Sequence, residues 1–253
     1  MINVMLHGCK GRMGQAIEKI IENTEGMRVA CGVDKAVDGT ESYPAFTKIS
    51  DCNVPADVVL DFSHFSAIPS LIEYCTEKKL PVVVATTSLG SAEEAAVKKA
   101  ADSIPVFYSF NMSLGINVIA ELFSTMVPVL ENDFDVEIID NHHNKKKDSP
   151  SGTALLLADA INANCEKKKR YIYGRHTKED DRTRDIIGIH SIRGGTTPGV
   201  HTVLFAGDDE LIEITHTALS RNIFAKGAVK AAAFLVKQAK GLYSMKDLIA
   251  LRK

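Results

Sequence analysis

The chain has 253 residues, enough for one large domain or two modest ones. Hydrophobic residues make up 45% and charged residues 25%, so a substantial core fits under a soluble surface. The formal net charge of -2 excludes non-specific nucleic-acid binding and makes any basic site a local one. Cys9, Cys31, Cys52, Cys75 and Cys165 are scattered, odd in number and lack a C-x-x-C pair. They fit reduced thiols in a cytoplasmic protein, not a disulfide framework or structural zinc site. Met1 leads straight into an apolar strand pattern without a basic and apolar leader, and no apolar run is long enough to span a bilayer.

From the start, strand and helix signals alternate. Ile2 to Leu6 reads as a strand, followed by a glycine-rich turn and a helix from about Arg12 to Glu22. Met27 to Val33 and Ala56 to Leu60 give the next strands. Phe65 to Lys79 looks helical, with Pro69 marking a break or a late start. Pro81 to Ala85 is apolar enough for a strand buried on both faces. Ser91-Ala92-Glu93-Glu94 has capping-box spacing at a helix start, and Pro105 to Tyr108 is a fifth strand. This alternation predicts a parallel sheet with helices on both faces.

Beyond a helix from about Ile116 to Leu130 the pattern changes. Asp135 to Ile139 alternates polar and apolar residues, and Val200–Phe205 and Glu210–Thr215 flank a Gly207-Asp208-Asp209 turn. That is a hairpin signal, and it predicts a second domain on an antiparallel or mixed sheet with one exposed face. Glu166 to Asp185, dense in both charge signs, reads as a solvated loop. Ile223 to Lys240 returns to helix, stopped near Gly241, and Ser244-Met245-Lys246-Asp247 forms another capping box.

Gly8, Gly11 and Gly14 fall between the first strand and the first helix. In a dinucleotide-binding fold such glycines permit a tight turn, admit the pyrophosphate to the backbone and let the helix pack on the strand. Helix-start amides then hold the phosphates. The G-x-x-G-x-x-G spacing is one residue looser than the commonest fingerprint. Asp34 ends the second strand about 20 residues later, where a carboxylate accepts ribose hydroxyls. Asp34 repels a 2′-phosphate and Lys35 attracts one, so NADH and NADPH both fit.

Residues 137–153 carry the densest chemistry. A strand runs into His142 and His143, then Lys145, Lys146 and Lys147, then a Ser/Pro/Gly segment opening a helix near Ala154. The helix start offers free amides, the hydroxyls of Ser151 and Thr153 and the bare backbone of Gly152, an arrangement suited to an anion. Histidine and lysine supply proton donors. Lysine triplets are usually solvated loops, and adjacent histidines on an extended chain face opposite ways. No third His or Cys lies at ligand spacing, so no metal is expected.

Here the chain resembles the dihydrodipicolinate reductase (4-hydroxy-tetrahydrodipicolinate reductase) family. The likeness rests on His142-His143-x-x-Lys146-x-Asp148-x-Pro150-Ser151-Gly152-Thr153-Ala154 and on Gly8-x-x-Gly11-Arg12-Met13-Gly14. It extends through Asp61-Phe62-Ser63, Thr86-Thr87, Asn111-Met112-Ser113-x-Gly115-x-Asn117, Gly188-Ile189-His190-Ser191-x-Arg193-Gly194-Gly195 and Ser220-Arg221. It implies an α/β Rossmann-type dinucleotide-binding domain (1–111 and 221–253) completed by C-terminal helices. It also implies an α+β domain (112–220) with a mixed, largely antiparallel sheet for substrate binding and oligomerisation, in a homotetramer.

By the resemblance, Gly8, Gly11, Arg12, Met13, Gly14, Asp34 and Lys35 would bind the pyrophosphate and adenosine part of NADH or NADPH. Phe62, Ala85, Thr86, Thr87, Ser109, Phe110 and Met112 would line the nicotinamide half. His143, Lys146, Ser151, Gly152 and Thr153 would hold the carboxylates of a small dicarboxylate, with Arg221 near the substrate or the domain junction. His142 and Lys146 match the family's proton donors. The implied activity is NAD(P)H-dependent reduction of 4-hydroxy-tetrahydrodipicolinate to tetrahydrodipicolinate in the diaminopimelate route to lysine, with the two ligands facing across a domain cleft. Two departures stand out: Ser149 replaces a small residue, and Val200 replaces an acid that often precedes the histidine. Two rival readings remain, a dinucleotide-sensing regulator without a reaction and a dehydrogenase of another small acid.

Overall fold

The computed structural model describes residues 1–176 and 183–250. By their contacts these fall into two compact units, Met1–Leu114 with the chain from Asn222 onward, and Gly115–Arg221.

In the first unit, strands β1 (Ile2–His7), β2 (Met27–Val33), β3 (Ala45–Phe46), β4 (Val58–Asp61), β5 (Val82–Val84), β6 (Pro105–Tyr108) and β12 (Gly241–Tyr243) form one sheet. Its order is β12-β6-β5-β4-β1-β2-β3, and every pairing is parallel. Alternate residues feed opposite cores. Val4 and Leu6 join Ile17 and Ile21 on one face, whereas Met5 joins Leu71 and Val97 on the other. Each such fully buried side chain contributes about 2 kcal/mol of transfer free energy. Helices α1 (Arg12–Glu22) and α6 (Asn222–Leu235) supply the first face; α2 (Ile68–Lys78) and α3 (Ser91–Ala100) supply the second.

The chain leaves β1 for β2 and β3 on one side and then crosses to β4, β5 and β6 on the other. The carboxyl ends of β1 and β4 therefore flank the topological switch point, where open α/β sheets bind ligands. Helix α6 is rich in small residues for a reason. A Cβ at Gly227 would sit 1.7 Å from the Met112 carbonyl oxygen, so only glycine lets α6 lie against that backbone.

In the second unit a five-stranded sheet runs β11-β10-β7-β9-β8, with β7 (Asp135–His142), β8 (Arg170–Tyr173), β9 (Ile186–Arg193), β10 (Gly199–Ala206) and β11 (Leu211–Ala218). The β11-β10 and β10-β7 pairs are antiparallel; β7-β9 and β8-β9 are parallel. One face packs its buried residues, Val136, Ile138, Val203 and Phe205, into a core with α4 (Leu114–Leu130) and α5 (Gly152–Asn162).

Three details depart from the sequence reading. The charged stretch 166–185 is not all loop: Arg170–Tyr173 forms β8 beside β9, and residues 177–182 lie outside the described set. Helix α6 ends at Leu235, and Gly241 opens the edge strand β12 instead of stopping a helix. Ser91 is the first helical residue of α3; Gly90 is its N-cap and no side chain caps it, so the Ser91 box does not form. At α7 (Met245–Ala250) the box signal is met, the Ser244 amide donating to Asp247 Oδ2 at 2.7 Å. Among the described residues no helix is long and apolar enough to cross a membrane.

Candidate active site

At the switch point the backbone does most of the shaping. Gly8 has φ +87°, and a Cβ there would lie 2.6 Å from the Phe62 carbonyl oxygen. A Cβ at Gly14 would lie 2.3 Å from the Gly8 oxygen, so α1 begins directly against the turn. Gly11 caps α1 without a side-chain bond, and the first turn carries no acidic residue, which leaves its amides open to an anion. A cavity of about 810 Å³ opens here, lined by Gly8, Gly11, Asp34, Lys35 and Phe62 among others. Its size, its bare glycine backbone and its helix-start amides fit a dinucleotide. Asp34 also fastens the turn, accepting from the Lys10 amide (3.0 Å) and the Ala36 amide (3.0 Å). The Lys10 ammonium is committed to Asp38 and Glu41, both at 2.9 Å.

Asp61, at the end of β4, is fully buried. Parallel register places it beside His7, whose Nδ1 lies 2.8 Å from Asp61 Oδ1. Ser63 Oγ donates to Oδ1 at 2.6 Å and Thr86 Oγ1 to Oδ2 at 2.6 Å. One carboxylate thus ties three strand ends beside the cavity. Of the remaining expected cofactor residues, Arg12, Thr87 and Phe110 are exposed, Met13 and Ser109 are half-buried, and Ala85 and Thr86 are buried. They do not line the cavity. The Met112 side chain is committed to the core.

In the second unit, strand register assembles a cluster from side chains. Asp140 pairs with His201 across β7-β10 and with Ser191 across β7-β9; His142 pairs with Arg193. Asp140 is fully buried. Its Oδ1 meets His142 Nδ1 at 2.7 Å and Arg193 Nη1 at 2.8 Å. Its Oδ2 accepts from the Ser151 amide at 2.8 Å and Ser191 Oγ at 3.0 Å. Burial pushes the Asp140 carboxyl up, but Arg193, the Ser151 amide, His142 and Ser191 outweigh it and hold it at about 2. Burial pushes His142 below its ordinary value, with Lys146 and Arg193 acting in the same direction against Asp140. Burial, then the neighbouring His142, brings His201 down to about 4. The His142 and His201 rings meet edge to face with centroids 5.0 Å apart.

Ser151 caps α5, its Oγ accepting from the Ala154 amide at 3.2 Å and lying 2.9 Å from His201 Nε2. The first turn of α5 has no acidic residue, and a Cβ at Gly152 would meet nothing within 4 Å. The lysine triplet separates: Lys145 and Lys147 are exposed, whereas Lys146 is half-buried and paired with Asp148 at 2.8 Å. The histidines separate too, His142 buried and His143 half-buried. Arg221 is exposed and ends the second unit.

Sequence reasoning missed Asp140, Ser191, Arg193 and His201 as members of this cluster, together with His7 and Asp61. The argument that no third histidine lies near is corrected by the fold. Chain distance separates His201 from His142, and the β7-β10 register brings them together. Asp140, His142 and His201 present ligand atoms within 4.8 Å of one another. Both histidines already bond protein groups, and the Arg193 guanidinium occupies the carboxylate, so the donor set suits protons better than a cation. Val200 sits on the opposite face of β10 from His201, so the replaced acid does not touch the cluster.

Residues 2–112 match the family described as dihydrodipicolinate reductase, N-terminus, and residues 115–249 match dihydrodipicolinate reductase, C-terminus. A 4-hydroxy-tetrahydrodipicolinate reductase of Caldanaerobacter subterraneus subsp. tengcongensis is 47% identical over 249 residues, covering 98% of each chain. One from Clostridium tetani is 49% identical over 247 residues, covering 97% of this chain and 96% of the other. Among solved structures, dipicolinate-bound dihydrodipicolinate reductase from Paenisporosarcina sp. TG-14 superposes with a TM-score of 0.81 at 24% identity. That match covers 96% of this chain and 97% of the other, and it shows the shared fold.

Proposed function

The chain belongs to the dihydrodipicolinate reductase family, and from that premise we propose which of its residues carry each part of the reaction. It is an oxidoreductase that reduces 4-hydroxy-tetrahydrodipicolinate in lysine biosynthesis. The observation that carries the assignment of roles is the basic cluster at the start of α5, beside a histidine held by a buried carboxylate.

Reduced nicotinamide dinucleotide, when bound, supplies the hydride. Gly8, Gly11 and Gly14 bring backbone to its pyrophosphate, and the open amides of α1 counter the phosphate charge. Asp34 and Lys35 meet at the adenosine end of the cavity, one favouring ribose hydroxyls and the other a 2′-phosphate, which supports use of both NADH and NADPH.

The substrate brings two carboxylates, and the α5 start is built for one of them. The first turn of α5 carries no acidic residue and a Cβ at Gly152 would meet open space, so the helix dipole is free to act on an anion, with Lys146, paired to Asp148, as the nearby cation. Ser151 bonds within the protein through both its amide and its hydroxyl, so it shapes this start from beneath. Reduction consumes one proton beyond the hydride, and His142 and Lys146 are the donors at hand. The pH profile separates them. Delivery by the His142 imidazolium makes turnover fall as pH rises through a value below the ordinary 6.5 of histidine. Turnover that does not fall through that window would instead point to Lys146 as the donor.

All five cysteines are free thiols, which supports a cytoplasmic setting. Among the described residues no helix covers the second face of the second sheet, which carries Ile139, Leu204, Val200 and the half-exposed Ile192, and this supports assembly as a homotetramer through that face. The deciding experiment is an absorbance assay of NADH and NADPH oxidation, with substrate formed in situ by the preceding synthase. Substrate-dependent oxidation of either dinucleotide is expected; no oxidation of either would contradict the reading.

A further inference from the structure

We infer that Asp140 is the positioning residue of the proton-delivering cluster, fixing the His142 ring and the α5 start with the two oxygens of one carboxylate. The inference rests on the reading of His142 and the α5 start as the reacting site.

A buried carboxylate is costly unless its lone pairs are filled, and here they are filled by groups of different kinds. Oδ1 takes His142 and Arg193; Oδ2 takes the Ser151 amide and the Ser191 hydroxyl. Arg193 alone would balance the charge. It also donates to the Asp148 carbonyl at 2.8 Å, so the segment from His143 to Asp148 is fastened to the same hub. The remaining bonds give Asp140 a further role. Because the carboxylate only accepts, it keeps the proton of neutral His142 on Nδ1 and leaves Nε2 as the working atom. Nε2 lies over Gly199, where a Cβ would come within 2.9 Å of it. Only glycine there leaves the ring its place.

An amide cannot substitute. Asparagine has one acceptor oxygen, so its NH2 group must face either the His142–Arg193 pair or the Ser151–Ser191 pair, all of which donate. Turned toward His142, it forces the ring proton onto Nε2, the wrong tautomer. The charged and titratable groups around His142 are Asp140 on its own strand, Arg193 from β9, His201 from β10 and Lys146 from the following loop. Asp140 is the one anion among these four, and its loss lowers the pH at which the His142 imidazolium discharges.

The test is a double-mutant cycle on the full-length enzyme with Asp140→Asn, His142→Ala and the combined variant, read as kcat and as its pH profile. Asp140→Asn is expected to lower kcat about 100-fold, and in the His142→Ala background to cost less than about threefold more. The His142-dependent limb of the profile shifts to lower pH. Equal losses in both backgrounds, or an unmoved limb with His142→Ala slow, overturn the inference alone. Wild-type turnover in His142→Ala overturns the underlying reading and the inference with it. Should Asp140→Asn fail to fold, the ring nitrogen shifts of wild-type His142 in an NMR spectrum decide: a neutral Nδ1–H tautomer supports the inference, and an Nε2–H tautomer overturns it.

Discussion

Each unit of this chain carries a fully buried aspartate that grips a histidine through Nδ1, Asp61 with His7 at 2.8 Å and Asp140 with His142 at 2.7 Å. Their surroundings differ. Asp61 gathers hydroxyls and an amide beside the cavity at the switch point, whereas Asp140 also holds a guanidinium among titratable rings. The first arrangement braces strand ends beside a cavity; the second gathers charged and titratable groups around one carboxylate. Binding a dinucleotide asks for geometry, and proton delivery asks for electrostatics, so the two units break in different ways.

The largest break is geometric. Gly14→Ala places a methyl group 2.3 Å from a backbone oxygen, which has no side chain to move aside. Binding of NADH, measured by titration calorimetry, is expected to weaken by at least ~100-fold, equivalent to roughly 3 kcal/mol. A loss of less than tenfold would show that the turn tolerates a side chain.

In the second unit a smaller effect follows from removing a hydroxyl. Ser151→Ala deletes the cap of α5 and the partner of His201, each worth about 1 kcal/mol. The expected outcome is a KM for substrate raised about tenfold with NADH affinity unchanged; a parallel loss of NADH binding would erase the contrast between the units. Lys35→Ala sharpens it from the other side. Removing one exposed cation at the cavity lip should weaken NADPH about fivefold while leaving NADH within twofold, read from the ratio of their dissociation constants.

The smallest effect is a pH dependence of stability. His201 falls from 6.5 when unfolded to about 4 when folded, so its contribution is fully present above pH 6.5 and is lost as pH falls toward 4. Melting temperature should decline by a few degrees over that window, and less steeply in His201→Asn. An identical slope in that variant would remove His201 as the cause.

The contrast also explains what could be read in advance. The glycine turn, Asp34 and the α5 start are local features, set by short spacings that chain chemistry dictates, and the structure places the turn and the α5 start between a strand and a helix and Asp34 just past the end of β2. The hubs are not local. His7 reaches Asp61 and His201 reaches Asp140 only through sheet register, which no short-range pattern reveals. The same holds for β12, a three-residue edge strand paired with β6, and for β8, whose alternation lies inside a charge-dense stretch. At Ser91 a local signal failed because Gly90 took the cap.

The most direct test of the account compares kcat with dinucleotide binding in Lys146→Ala and His142→Ala. Turnover at least ~100-fold below wild type in each, with NADH affinity held within about twofold, is the predicted result. Wild-type turnover in both variants, or NADH affinity falling as far as turnover does, would contradict it.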